Sequence, residues 1–188
     1  MKIGLYGGTF DPIHHGHLIL ARTALEEMEL DSIIFIPAAI SPHKLETSPT
    51  PSAIRWEMIL ASIDGEAGIL ADPYELELAG PSFTYDTVLH YRKKFPDAEL
   101  FYFIGYDNLE KLDTWHRIEE LKSLVTLVVL DRGAASGTIP FPQIFRRYDI
   151  SASDIRNRVA KGLSIRYLVT PPVDDLIRRH HLYQPHSH

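Results

Sequence analysis

Apolar and polar positions along this chain switch repeatedly between a period of two and a period near 3.6, and each switch marks a strand or a helix. Lys2-Ile3-Gly4-Leu5-Tyr6 reads as a strand, and Leu18, Ala21, Leu25 and Met28 recur on one helical face after it. Residues 31–37 are a short β-rich run. They complete a strand–helix–strand unit, which requires parallel strands and a crossover helix. The spacing predicts a helix over 52–63 with Ile54, Met58 and Ala61 on one side, and a short strand over 69–71. Residues 75–82 are polar and turn-rich. A helix follows over 84–95, with Thr84 as its cap and Val88 and Tyr91 turned inward. Residues 99–104 form the most strand-like run, 108–112 and 117–122 read as short helices, and 125–130 as another buried strand. A last short strand is expected over 148–150, then helices over 153–160 and 172–181. This alternation predicts an α/β fold: one domain over 1–188, with a doubly wound, mostly parallel sheet and a small C-terminal helical part. Ligands belong at the carboxyl ends of such strands.

Composition narrows the partners. The chain has 188 residues and no cysteine, which excludes disulfides, thiolate nucleophiles and Cys-based zinc sites. A formal net charge of −6 disfavours nucleic-acid binding, which needs a basic footprint. A small phosphorylated substrate fits better. No basic segment followed by a long apolar run opens the chain, and no run approaches a membrane span, so the expectation is a cytoplasmic protein without a membrane partner. Whether it forms a homo-oligomer is left open.

Residues 7–17, Gly-Gly-Thr-Phe-Asp-Pro-Ile-His-His-Gly-His, concentrate the chemistry. A strand entering a glycine-bearing turn and then a helix places free backbone N–H groups where an anion can sit. A helix beginning near His14 turns His14 and His17 toward the same space. Two exposed turn histidines are the plain alternative. The glycines, both histidines and the position after the first strand coincide, and together they point to a site for a phosphoryl group. No Gly-Lys-Ser/Thr follows, and Gly4, Gly7 and Gly8 lack the dinucleotide spacing.

The stretch resembles the signature of the nucleotidyltransferase superfamily, H-x-G-H after the first strand, here His14-His15-Gly16-His17. The longer form Gly7-Gly8-Thr9-Phe10-Asp11-Pro12-Ile13-His14 is similar to the nicotinate-mononucleotide adenylyltransferases of bacterial NAD synthesis. Residues 150–156, Ile-Ser-Ala-Ser-Asp-Ile-Arg, resemble that family's I-S-S-T-x-I-R, with Ala152 and Ser153 as the departures. Taken alone, Ser151 and Ser153 read as helix caps; they can also donate to a phosphate beside Arg156. Ser41-Pro42-His43-Lys44 is similar to the family's Pro-His-Lys loop, and residues 80–87 to its G-x-S-Y-T-x-D-T, with Phe83 for Tyr. Gly105-Tyr106-Asp107 matches G-x-D, with Trp115 downstream, and Arg132 falls in an Arg-Pro-Gly region. The histidines at 180, 181, 186 and 188 read as a polar tail rather than a metal site.

The resemblance implies adenylyl transfer from ATP to nicotinate mononucleotide, giving nicotinate adenine dinucleotide and pyrophosphate. It implies His14, His17 and Arg156 as catalytic residues. It assigns ATP to Gly7, Gly8, Thr9, Phe10, Gly16, Lys44, Gly105, Asp107, Arg132, Ser151 and Ser153, and nicotinate mononucleotide to Thr84 and Trp115. A magnesium ion would be bound mainly through the ATP phosphates, with no metal site on the protein. Phosphopantetheine adenylyltransferases and cytidylyltransferases share the first signature, and a nucleotide-binding sensor without turnover is the competing reading of another class. The remaining matches favour the nicotinate-mononucleotide enzyme.

Overall fold

The computed structural model describes residues 1–39, 49–78, 82–133 and 139–185. Six strands form a single sheet: β1 (Lys2–Gly8), β2 (Ser32–Pro37), β3 (Ile69–Ala71), β4 (Glu99–Gly105), β5 (Thr126–Asp131) and β6 (Gln143–Phe145). Among the described residues six α-helices accompany them: α1 (His15–Glu27), α2 (Ser52–Ile63), α3 (Thr84–Lys94), α4 (Ile118–Leu124), α5 (Ala152–Ala160) and α6 (Pro171–Arg179). The strand order is β3-β2-β1-β4-β5-β6, and every pairing is parallel. The direction of winding therefore reverses between β1 and β4. In open α/β sheets the ligand crevice lies there, at the carboxyl ends of the strands.

Strand parity sorts the core into two layers. Tyr6, Ile33, Phe35, Phe101, Phe103, Val128 and Leu130 face one side, against Leu20 and Ala24 of α1, Met58 and Ile59 of α2, Ile155 of α5 and Val173 and Ile177 of α6. Ile3, Leu5, Ile34, Ile36, Leu100, Tyr102, Ile104, Leu127 and Val129 face the other, against Tyr85, Val88 and Tyr91 of α3 and Leu121 of α4. Central strands buried on both faces need apolar residues at every position, which is why 33–36 and 127–130 lack polar alternation. No helix among the described residues is long and apolar enough to cross a membrane.

Three expectations are corrected. The sixth strand is Gln143–Phe145, not 148–150. It pairs with β5 from Val129 to Asp131, and by residue 148 the chain has run past the end of β5 with nothing left to pair. Thr84 does not cap α3. Phe83 is the N-cap, without a side-chain cap bond, and Thr84 is the first helical residue. The two short helices expected over 108–112 and 117–122 are a 3-10 helix over Tyr106–Thr114 and α4, which starts one residue later than expected, after Arg117 in a left-handed conformation (φ 55).

Candidate active site

β1 ends at Gly8, and the chain turns through residues 9–14 before α1 begins. Phe10 takes a left-handed conformation (φ 48), and Asp11–Pro12 is cis. The turn is fixed from below by Arg55 of α2, only 1% exposed. Its Nη1 donates to the Thr9 carbonyl (2.7 Å), its Nε to the Thr50 carbonyl (3.0 Å) and its Nη2 to the Ala39 carbonyl (3.4 Å). A guanidinium is a rigid fork of donors, so one side chain can gather three backbone segments. Burial lowers the Arg55 pKa, and the nearby Asp11 opposes that. The ring of Phe10 is buried, edge-on to Tyr6, Phe35 and His17. It supports His17 from the core, so the Phe10 side chain is not free to meet a ligand.

His14 is the N-cap of α1, and its ring stacks on that of His17 with centroids 3.7 Å apart. The His14 backbone N–H donates to His17 Nδ1 at 3.2 Å. An imidazole whose Nδ1 accepts must carry its proton on Nε2 when neutral, so this bond selects the tautomer of His17. His14 is 3% exposed, and among the described residues its Nδ1 has no hydrogen-bond partner. Burial, with help from Arg132 and His15, pulls the His14 pKa down to about 3. Burial, His14 and Arg132 push that of His17 well below its ordinary value. Both rings are therefore neutral donors at pH 7. Gly16 makes the close packing feasible: a Cβ there would lie 2.5 Å from the Tyr148 ring and 2.9 Å from His14 Nδ1.

The pair opens into a cavity of about 180 Å³ lined by Tyr6, His14, His17, Leu20, Gly105, Asp107, Leu130, Arg132 and Tyr148. A second cavity of about 440 Å³ adjoins it through Arg132 and Tyr148 and runs along Gly133, Arg147, Asp149, Ile150 and Ser151. Arg132 donates to the Ile150 carbonyl (3.3 Å), and the Tyr148 hydroxyl to the Gly16 carbonyl (2.9 Å). The last bond joins the segment before α5 to the helix that carries the histidines. Burial pushes the Tyr148 pKa up to about 12, with Arg132 opposing, so its hydroxyl stays protonated.

α5 begins at the far end of these cavities. The Ser151 hydroxyl accepts from the Asp154 N–H (3.1 Å), capping the helix. Arg156, one turn in, donates to the Asp11 carbonyl (2.7 Å) and to the Ser153 hydroxyl (3.3 Å). Asp11 also accepts from Tyr183 (2.6 Å) and from the Thr50 backbone (3.1 Å). The C-terminal segment and Thr50, just before α2, are thereby tied to one carboxylate.

On the other face of the sheet, Thr84 lies 3.5 Å from the Tyr102 hydroxyl, and Trp115 sits edge-on to the Tyr102 ring. That hydroxyl covers Gly7 so closely that any Cβ at Gly7 would collide with it. At the end of β4, Gly105 leaves the room that the Asp107 carboxylate occupies. The β1–β4 crevice thus has a histidine- and arginine-lined side and a Thr84–Tyr102–Trp115 side, with Gly7 and Gly105 between them.

Residues 5–158 match a family model described as Cytidylyltransferase-like. The chain is 41% identical over 189 residues to the "Probable nicotinate-nucleotide adenylyltransferase" of Shouchella clausii, an alignment covering 97% of this chain and 96% of the other. This chain belongs to the nicotinate-nucleotide adenylyltransferase family. A Geobacillus thermodenitrificans protein of the same description is 43% identical over 185 residues, covering 97% of this chain and 86% of its own. Among solved structures, Plasmodium falciparum nicotinic acid mononucleotide adenylyltransferase complexed with NaAD matches with a TM-score of 0.78 at 20% identity, covering 97% of each chain. At that identity the likeness speaks to the fold.

The residues that the family signatures single out converge in part. His14, His17, Gly105, Asp107 and Arg132 line one cavity. Ser151 lines the next, with Ser153 and Arg156 on the same helix start. Gly7, Thr84 and Trp115 gather at Tyr102 on the opposite face. Lys44, Gly80 and Pro81 of the family pattern, and His186 and His188 of the tail, lie outside the described residues. Tyr6, Leu20, Arg55, Tyr102 and Tyr148 were not singled out from sequence. Strand parity could have found Tyr102, which shares a face with Leu100 and Ile104. Nothing local marks Arg55, whose charge on an otherwise buried helical face reads as an anomaly until its three carbonyls are seen.

Proposed function

We propose that this chain transfers the adenylyl group of ATP to nicotinate mononucleotide, releasing pyrophosphate and forming nicotinate adenine dinucleotide, as a cytoplasmic step of NAD synthesis. The stacked His14–His17 pair opening onto a cavity continuous with Arg132 and the α5 start carries this reading. The names of the relatives supply the choice of acceptor.

The attacking group is the phosphate of the mononucleotide. With a second pKa of about 6 it is already largely ionised near pH 7, so no general base is needed. The protein must align two polyanions and stabilise charge that builds on the α-phosphate as its bond to the β-phosphate bridging oxygen lengthens. His17, with its proton on Nε2, and His14 beside it donate to that phosphate without changing charge. The positive end of the α1 dipole reinforces them. Arg132 and Arg156 would hold the β- and γ-phosphates and receive the departing pyrophosphate, with Ser151 and Ser153 at the same helix start. Thr84 and Trp115 would meet the pyridine ring and its carboxylate, and Asp107 a ribose. A magnesium ion would be carried mainly by phosphate oxygens and water. Bound so, it would neutralise phosphate charge.

Labelled ATP tests the bond that breaks. Label at the α-phosphate should appear in nicotinate adenine dinucleotide and label at the γ-phosphate in pyrophosphate. Release of orthophosphate from the γ-position would contradict adenylyl transfer.

A further inference from the structure

Between β3 and α3 runs a 3-10 turn, Tyr74–Glu77, that places one carboxyl group in the interior. Glu75 is 5% exposed. One of its oxygens accepts from the Ser82 hydroxyl (2.5 Å) and the other from the Thr87 hydroxyl (2.6 Å). Both partners are themselves buried. Relative to α3, whose N-cap is Phe83, Ser82 is the residue before the cap and Thr87 the fourth helical residue. These are the two positions that an apolar contact bridges when a hydrophobic staple fixes the angle at which a chain enters a helix. Here a carboxyl group from outside the helix bridges them. The turn is held to α3 elsewhere too: Tyr74 stacks on His90 at 3.8 Å, and Lys94 pairs with Asp72 at 3.0 Å.

The bridge spans Phe83 and Thr84, the residues that begin α3. Thr84 faces Tyr102 over Gly7, and Phe83 packs 4.8 Å from His116 beside Trp115. We propose that Glu75 is a positioning residue for the acceptor side of the site: by holding Ser82 and Thr87 it sets where the Phe83–Thr84 backbone and the Thr84 hydroxyl stand relative to the pyridine ring. This rests on the reading that Thr84 and Trp115 take the mononucleotide. The ATP side is reached through α1, Arg132 and α5, none of which Glu75 touches. Loosening the bridge should therefore change one substrate's binding and leave the other's alone.

Steady-state kinetics of Glu75→Gln, Thr87→Val and Thr87→Ser, with each substrate varied while the other saturates, test the assignment. Glu75→Gln and Thr87→Val should raise KM for nicotinate mononucleotide by about tenfold, the scale of a hydrogen bond lost to a charged or buried group. KM for ATP and kcat should stay within about twofold. Thr87→Ser keeps the hydroxyl and should restore KM to near the parent value. If Glu75→Gln fails to fold, the Val and Ser substitutions at Thr87 carry the comparison alone. Parallel increases in both KM values, unchanged KM for the mononucleotide, or equal damage from Ser and Val at position 87 would overturn the assignment. A parent enzyme that does not use nicotinate mononucleotide at all would refute the proposed function, and this assignment with it. A parent that does use it, with variants that bind it normally, would refute the assignment alone.

Discussion

A histidine held neutral by burial can still stabilise an anion, because an N–H aimed at a phosphate acts through its dipole and needs no proton transfer. That is the condition of His14 and His17. Their stacking at 3.7 Å would be repulsive between two imidazolium rings, and burial removes the charge that would drive them apart. His17→Ala should lower kcat by about a hundredfold or more, as loss of one oxyanion donor does elsewhere, with folding intact by circular dichroism. Turnover within threefold of the parent would contradict its role. The same burial has a consequence for stability. The unfolded chain protonates these histidines near pH 6.5, whereas the fold keeps His14 neutral down to about pH 3. The unfolded state thus binds more protons across that window. Stability is fully present above about pH 6.5 and falls as pH drops, by up to about 1.4 kcal/mol per pH unit for each histidine. Urea midpoints of the parent and of His14→Gln at pH 7.5, 6.0 and 5.0 check this: the parent should lose stability more steeply. Identical slopes would mean that His14 is not held neutral.

At the scale of elements, the helix starts do different work. At the start of α1 the His14 and His17 side chains line the cavity, while the His15 and His17 N–H groups are already bonded to the Leu168 and His14 carbonyls. In α5 the Ser151 hydroxyl is turned onto the Asp154 N–H and serves as a cap. Ser151→Ala should therefore destabilise the protein by about 1 kcal/mol, and Ser151→Gly by only a few tenths, measured as a shift in the denaturation midpoint. Equal loss from Ala and Gly would show that the cap bond is not what Ser151 contributes. The capping reading and the phosphate reading of this stretch were both available from sequence; the hydrogen bond establishes the cap and leaves the hydroxyl its own proton to donate. The strand at 143–145 was hidden for a related reason. Its three residues offer one buried side chain, Ile144, between two exposed ones, too short a pattern to register. Residues 148–150 carry the better pattern but no partner. Their partly buried Tyr148 and Ile150 pack on the core from an unpaired segment, and Tyr148 reaches Gly16 instead. Pairing is decided by what β5 still has free, which no local window contains.

Across the whole molecule, the alternation of strands and helices was enough to predict the doubly wound sheet. The apolar runs 33–36 and 127–130 read as strands, and the structure covers them on both faces. The order β3-β2-β1-β4-β5-β6 turns that alternation into a crevice beside β1, and the signature at 7–17 follows the strand that borders it. The residues of the signature were readable because they are contiguous and each type has its own chemistry. Arg55, Tyr102, Tyr148 and the Asp11–Tyr183 bond were not, because each acts through a contact distant in sequence, 172 residues apart in the last case. The decisive pairing is that of ATP with a pyridine mononucleotide acid. Pyrophosphate release from ATP and magnesium, in parallel reactions with nicotinate mononucleotide, nicotinamide mononucleotide and phosphopantetheine, tests it. Fast release with nicotinate mononucleotide, and far slower release with the other two, is the predicted result. Release with phosphopantetheine alone, or with none of the three while ATP still binds, would contradict it.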